Sequence, residues 1–202
     1  MALTAESYLE SCQSDFWKGV FREELGYLVK ELKGYQNVLS VGCGPAIIEL
    51  GLQEEGFDVT GLDVSEEALE GAPDRIRTVV GSAEDMEFDD AGFDAVIFVA
   101  SLQFIENYQK ALQETERVLR PDGKLIVMLL NPESEFFREK RKQADSYVNK
   151  IRHPRLAPIE GKVRTHFACV ETEYFLGVEK KNIFESKEPD LAALYVLKGK
   201  KP

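Results

Sequence analysis

The sequence predicts a doubly wound α/β fold, and three observations carry that expectation. Strand-length apolar runs alternate with helical segments over the first 130 residues. The runs are continuously apolar rather than alternating, as strands of a parallel sheet covered on both faces have to be. The first run leads directly into two closely spaced glycines and then a helix. A backbone turn approaches a ligand closely in that arrangement.

Each element has its own signal. Residues 5–33 read as a helical lead-in: Leu9, Cys12, Phe16, Val20, Leu25, Leu28 and Leu32 recur at mostly three- and four-residue steps, with a break expected near Gly19 or Gly26. Asn37 to Val41 has strand length. Pro45 to Glu55 reads as a helix with proline in its first turn and Gly56 after its end. Phe57 to Leu62 is a second strand, and Ser65 caps a short helix that opens with Glu66 and Glu67. Ile76 to Val80 and Phe93 to Val99 are the next strands. Tyr108, Ala111, Leu112, Thr115, Val118 and Leu119 share a helical face, and a Pro121-Asp122-Gly123 turn leads to a fifth strand, Lys124 to Leu130. Beyond it the pattern loosens. Residues 135–150 read as a polar helix, and Pro154 and Pro158 interrupt the next stretch. Arg164 to Val170, Glu173 to Gly177, Lys181 to Glu185 and Ala192 to Lys198 read as short strands.

The 202 residues suit one domain: a lead-in (1–36), a core (37–130), an insertion or cap (131–165) and closing strands (166–202). Cys12, Cys43 and Cys169 are far apart and odd in number, so neither a disulfide framework nor a zinc ribbon is expected, and no metal site. The first ten residues do not have the pattern of a signal peptide, and no stretch approaches a membrane span, so the expected location is cytoplasmic. A net charge of −11 argues against nucleic acid as a partner. The charge is uneven, however. Residues 131–165 hold nine Lys and Arg against five acids, a local +4 that leaves −15 on the rest.

The chemistry-bearing signal is Val38-Leu39-Ser40-Val41-Gly42-Cys43-Gly44-Pro45-Ala46, strand into glycines into helix. Asp63 lies 21 residues after Gly42, at the end of the second strand, where a carboxylate can accept both ribose hydroxyls of a nucleoside. A dinucleotide fingerprint fits less well, because its last glycine would be Ile47.

With these residues in place, the chain resembles the class I S-adenosylmethionine-dependent methyltransferases of the UbiE-like, methyltransferase-11 type. The glycine loop resembles that family's first motif, and Val59-Thr60-Gly61-Leu62-Asp63-Val64-Ser65 the second, with its ribose-binding acid. Val80-Gly81-Ser82-Ala83-Glu84-Asp85-Met86-Glu87-Phe88 is similar to the third, adenine-contacting motif. Phe93-Asp94-Ala95-Val96 through Leu102-Gln103-Phe104-Ile105 resembles the fourth. Glu114 and Arg117-Val118-Leu119-Arg120-Pro121-Asp122-Gly123, with Leu125-Ile126-Val127, resemble the closing segment. The resemblance spans about residues 37–130 and implies a Rossmann-like seven-stranded sheet whose last strand pair is antiparallel. It implies S-adenosyl-L-methionine as cofactor, held by Ser40, Gly42, Cys43, Gly44, Asp63, Val64, Ser82, Ala83, Glu84 and Val99.

The departures are informative. Ser40 stands where the family places an acid reaching toward the methionine amino group, Ala46 at the third glycine, Ser82 at an Asp, and Asp122 at a glycine of the turn. A serine there offers only a neutral hydrogen bond, about half as strong as a charged one, unless another group compensates. Gln103 is the one candidate for orienting a substrate, with a plain helix-start role as the alternative. Tyr8, Phe16 and Trp17 divide between a lid and core packing, and His153 and His166 read as surface residues. Three functions are open: methylation of a small molecule, methylation of a protein or RNA docked on the basic segment, and a non-catalytic cofactor-binding module. The first is favoured, with an anionic acceptor drawn in by Arg138, Arg141 and Arg152 over the mouth of the site, or with that segment merely solvated.

Overall fold

A computed structural model describes residues 13–202. The earlier part of the lead-in, with Tyr8, Leu9 and Cys12, lies outside the described residues. Helix α1 spans Asp15–Glu31, and the Ser14 hydroxyl caps it by accepting from the Trp17 amide. It runs unbroken through Gly19 and Gly26. At Gly19 a Cβ would sit 2.7 Å from Ile183, so that glycine marks a close approach rather than a break.

Strands β1 (Asn37–Val41), β2 (Asp58–Asp63), β3 (Arg77–Val80), β4 (Phe93–Val99) and β5 (Leu119–Leu130) pair in parallel. They are joined by α2 (Ile47–Glu54), α3 (Glu66–Leu69) and α4 (Tyr108–Val118). The sheet then continues with β8 (Ala192–Lys200), β6 (Ala168–Glu179) and β7 (Asn182–Phe184), antiparallel, in the order β3-β2-β1-β4-β5-β8-β6-β7. The sheet is therefore doubly wound with antiparallel closing strands, as expected, but has eight strands instead of seven. The additional one is the three-residue β7, which folds back on the end of β6.

The apolar runs are double-sided because both sheet faces are covered. Val96 and Phe98 of β4 join Leu125 and Val127 of β5 against Leu112 of α4 and Ile159. Ala95 and Ile97, with Ile126 and Met128, face Leu28 of α1, Leu52 of α2 and Phe136. That period-two division is what a strand imposes on its neighbours.

Three local expectations change. Helix α2 begins at Ile47, and Ala46 precedes it in the left-handed region at φ 56°. The stretch 135–150 is a short helix α5 (Glu135–Arg141) and a separate 3-10 turn (Tyr147–Lys150). Most different, Leu156–His166 is a helix, α6, where an interrupted segment and the start of a strand were expected. Pro158 lies in its first turn, where the missing N–H has no intrahelical partner to lose. Strand β6 is then one long element with an irregularity between Ala168 and Glu171.

The strand order reverses between β1 and β4, so the chain leaves those two neighbours in opposite directions. A crevice opens at their carboxyl ends, at Gly42 and Ala100, and ligands of open α/β sheets bind at such a switch point.

Candidate active site

Two cavities occupy that crevice. One, of about 520 Å³, is bordered by Gly42, Gly44, Asp63, Val64, Ser82, Ala83 and Glu84. The other, of about 250 Å³, lies between α1, the turn after β4 and the 136–147 segment, with Trp17, Phe21, Glu24, Phe136 and Tyr147 in its wall. Gly42, Ala100 and Phe104 belong to both walls.

The first cavity is built by backbone demands. Gly42 and Gly44 have φ of 77° and 51°, the left-handed region that favours glycine. A Cβ on Gly42 would meet the Ser101 Cβ at 2.5 Å, whereas a Cβ on Gly44 would project into open space. The loop is held from β2: the amides of Gly42 and Cys43 donate to the Leu62 carbonyl, and that of Gly44 donates to Asp63 Oδ2 at 2.8 Å. Asp63 Oδ1 accepts from the Ser65 amide at 2.9 Å. Each carboxylate oxygen keeps a second acceptor position. Val64, beside Asp63, is 75% exposed, an apolar platform at the rim.

The far wall is a tight loop. The Ser82 hydroxyl accepts from the Glu84 amide, and Glu84 in turn accepts from the Asn107 amide at the start of α4. Behind it Arg117 donates to the carbonyls of Met86 and Phe88 and pairs with Glu114 and Asp90. These bonds hold Glu114 below the ordinary carboxylate range and raise Arg117. The Glu-x-x-Arg of the closing motif is thus a clasp on the loop after β3.

Those contacts test which cofactor fits. A pyrophosphate needs free N–H groups at the loop, but here the loop amides are bonded to Leu62 and Asp63, and the nearest charge is a carboxylate. A nucleoside with a positive sulfonium needs none of these amides and is not opposed by the carboxylate. Gly44 leaves the space such a ligand needs.

Three of the expected contact residues stand elsewhere. Ser40 is buried beneath the loop and lines neither cavity; its hydroxyl donates to Glu49 Oε1 of α2 at 2.5 Å. Val99 lines the apolar cavity alone. The Cys43 thiol packs over Gly61, where a Cβ would meet it at 2.6 Å, and burial raises its pKa.

Gln103 is fully buried and lines neither cavity. Its amide donates to the carbonyl of Leu130 and accepts from the Leu130 amide, and its own carbonyl accepts from the amides of Arg152 and His153. It therefore ties the turn after β4 to the end of β5. His153 and His166 are half-buried rather than on the surface: His153 Nε2 bonds the carbonyls of Ile105 and Glu106, and His166 Nδ1 lies 2.7 Å from Glu116.

The basic segment is dispersed. Arg164 pairs with Glu160 on α6, Lys142 with Glu139 on α5, and Lys140 sits over the rings of Trp17 and Phe136. Of that segment's cations, Arg152 alone lines either of these two cavities, the polar one, and it lies 3.9 Å from Glu106.

Two acids were missed by sequence reasoning. Glu24 of α1 and Glu49 are 5% and 2% exposed. Burial pushes Glu24 up to about 8, with the charge of Glu49 adding to it. Burial pushes Glu49 up to about 7, opposed by the Ser40 hydrogen bond. The signal was present: Val20, Glu24, Leu28 and Leu32 recur every four residues, so Glu24 stands in the apolar stripe of its helix.

Comparison with known proteins agrees with this geometry. Residues 39–127 match the family described as "Methyltransferase domain". A sterol 4-C-methyltransferase of Caenorhabditis elegans is 29% identical over 57% of this chain and 38% of its own length. A demethylmenaquinone methyltransferase of Mycolicibacterium gilvum is 34% identical over 57% of this chain and 49% of its own. The chain thus spans half or less of these two curated relatives. A Thermotoga maritima structure titled an S-adenosylmethionine-dependent methyltransferase, possible histamine N-methyltransferase, superposes with a TM-score of 0.76 at 22% identity, over 90% of this chain and 89% of that one. Residues 39–127 thus match the methyltransferase-domain family, and the fold around them is the one that the Thermotoga maritima structure has.

Proposed function

We propose that the chain transfers the methyl group of S-adenosylmethionine to a small, largely apolar acceptor. One observation carries the reading: a polar cavity and an apolar cavity meet at Gly42, Ala100 and Phe104. In this reading Asp63 accepts the ribose hydroxyls, Val64 and Ala83 flank the base, and Ser82 and Glu84 close the far side. The bound cofactor supplies an electrophilic methyl group on a good leaving group. The protein's part is then to align the acceptor in a dry pocket, and positioning alone can lower such a barrier by several kcal/mol, about 7–11 at best.

The apolar wall is made of Trp17, Val20, Phe21, Phe104, Phe136 and Tyr147, with no lysine or arginine in it. It lends no support to an anionic acceptor. The two curated relatives are named for acting on a sterol and on demethylmenaquinone, both small molecules, which supports a small-molecule acceptor. Two unpaired thiols, Cys43 and Cys169, suit the reducing cytoplasm as the compartment. No helix among the described residues is long and apolar enough to cross a membrane.

Methyl-labelled S-adenosylmethionine incubated with the protein and with size-fractionated cell extract tests the reading. Label should enter the low-mass fraction. Label entering protein or RNA instead overturns it, and no turnover with any fraction points to a non-catalytic module.

A further inference from the structure

The acid in the apolar cavity is unexplained by hydrophobic packing. Glu24 is 5% exposed, and that exposure opens into the 250 Å³ cavity. Its carboxyl makes no hydrogen bond or ion pair with the described residues. Among the described residues the one charge acting on it is that of Glu49, which has the same sign. Glu49 is itself buried, faced by the Ser40 hydroxyl, the Cys43 thiol and the Asp63 carboxylate, none of them cationic. Around Glu24 stand the rings of Trp17, Phe21, Phe104, Phe136 and Tyr147.

Such a site is poor for an anion and poor for a hydrocarbon, since a hydrocarbon would leave a buried carboxyl without a partner. Aromatic faces around a carboxylate instead suit an organic cation, held by both charge and ring quadrupoles. We propose that this cavity is an ammonium site with Glu24 as its counter-ion and Glu49 as the second acid behind it. The chemistry has two sources: the amino group at the methionine end of the cofactor, or an amine on the acceptor. The proposal rests on the two-cavity reading, because the wall shared at Gly42 and Ala100 brings either amine within reach.

Without a cation, Glu24 keeps its proton. An arriving ammonium takes its place beside the carboxylate, and the carboxyl proton leaves to solvent. A ligand arriving as the free amine takes that proton itself, and none is released.

Calorimetry at pH 6.5, in two buffers of different ionisation enthalpy, reads this directly. The ligands are S-adenosylhomocysteine, 5′-methylthioadenosine, which lacks the amino acid end, and phenethylamine added to the S-adenosylhomocysteine complex. A cofactor source predicts proton release with S-adenosylhomocysteine and none with 5′-methylthioadenosine. An acceptor source predicts release on adding phenethylamine. In either case Glu24→Gln, a near-isosteric change, abolishes the release. It also weakens that amine roughly tenfold or more, while 5′-methylthioadenosine binds within about twofold of wild type. The proposal is overturned if wild type releases no proton in either arm, or if Glu24→Gln, folded by circular dichroism, binds both amines as wild type does. Failure of wild type to bind either nucleoside is a different result, which removes the cofactor reading and this inference with it.

Discussion

The carboxylate of Asp63 accepts the amide hydrogen of Gly44 across 2.8 Å, so the residue that ends β2 holds the loop that ends β1. Removing it should therefore cost twice. Asp63→Ala should lower stability by about 1–2 kcal/mol by leaving the Gly44 and Ser65 amides without their acceptor. It should also weaken S-adenosylhomocysteine by at least about tenfold. Thermal melting and calorimetry on the same preparation separate the two effects, and unchanged affinity in a folded variant would remove Asp63 from the site.

The two loop glycines should fail differently. Gly42→Ala forces a Cβ to within 2.5 Å of the Ser101 Cβ at a left-handed φ, and should destabilise the fold by roughly 2 kcal/mol or more. Gly44→Ala meets no protein atom within 4 Å, so its cost should stay near the roughly 1 kcal/mol of the left-handed backbone. Its methyl group enters ligand space, and affinity should fall roughly tenfold. Equal melting temperatures for the two variants would contradict this.

These positions were legible in the sequence because they are local backbone demands. Ala46 and Asp122, which replace glycines of the resembled motifs, both adopt left-handed φ, 56° and 59°. The turn geometry survives the substitution, and Asp tolerates it through its short polar side chain. The strands were legible for a similar reason, since covering both faces makes each run apolar in itself. Helix α6 was not, because Pro158 reads as a breaker unless the helix start is known. Nor was the role of Gln103 or Glu49, which depends on which strand end or helix packs against them.

Gln103 should behave as a fold residue rather than a substrate ligand. Gln103→Leu leaves the amide and carbonyl of Leu130 without their side-chain partners in a buried place, a loss of about 1–3 kcal/mol. Chemical denaturation measures it. A variant as stable as wild type but unable to turn over substrate would instead return Gln103 to the site.

Stability should fall as pH rises. A carboxyl whose folded pKa is raised stays protonated in the fold while the unfolded chain ionises. The loss therefore begins near the ordinary value of 4.5 and ends above the folded values of about 7 and 8. Glu24→Gln removes one of the two acids. Relative to wild type the variant should gain about 3–4 kcal/mol between pH 5 and pH 8. Melting curves at the two pH values check this, and a constant difference between the proteins would contradict it.

The crevice between β1 and β4 should take a nucleoside sulfonium and not a dinucleotide. Isothermal titration of the wild-type protein with S-adenosylhomocysteine and, separately, with NAD is the most direct measurement. One-to-one binding of S-adenosylhomocysteine is expected, weakened in Gly44→Ala, with no measurable heat from NAD. Binding of NAD in preference to S-adenosylhomocysteine would contradict it.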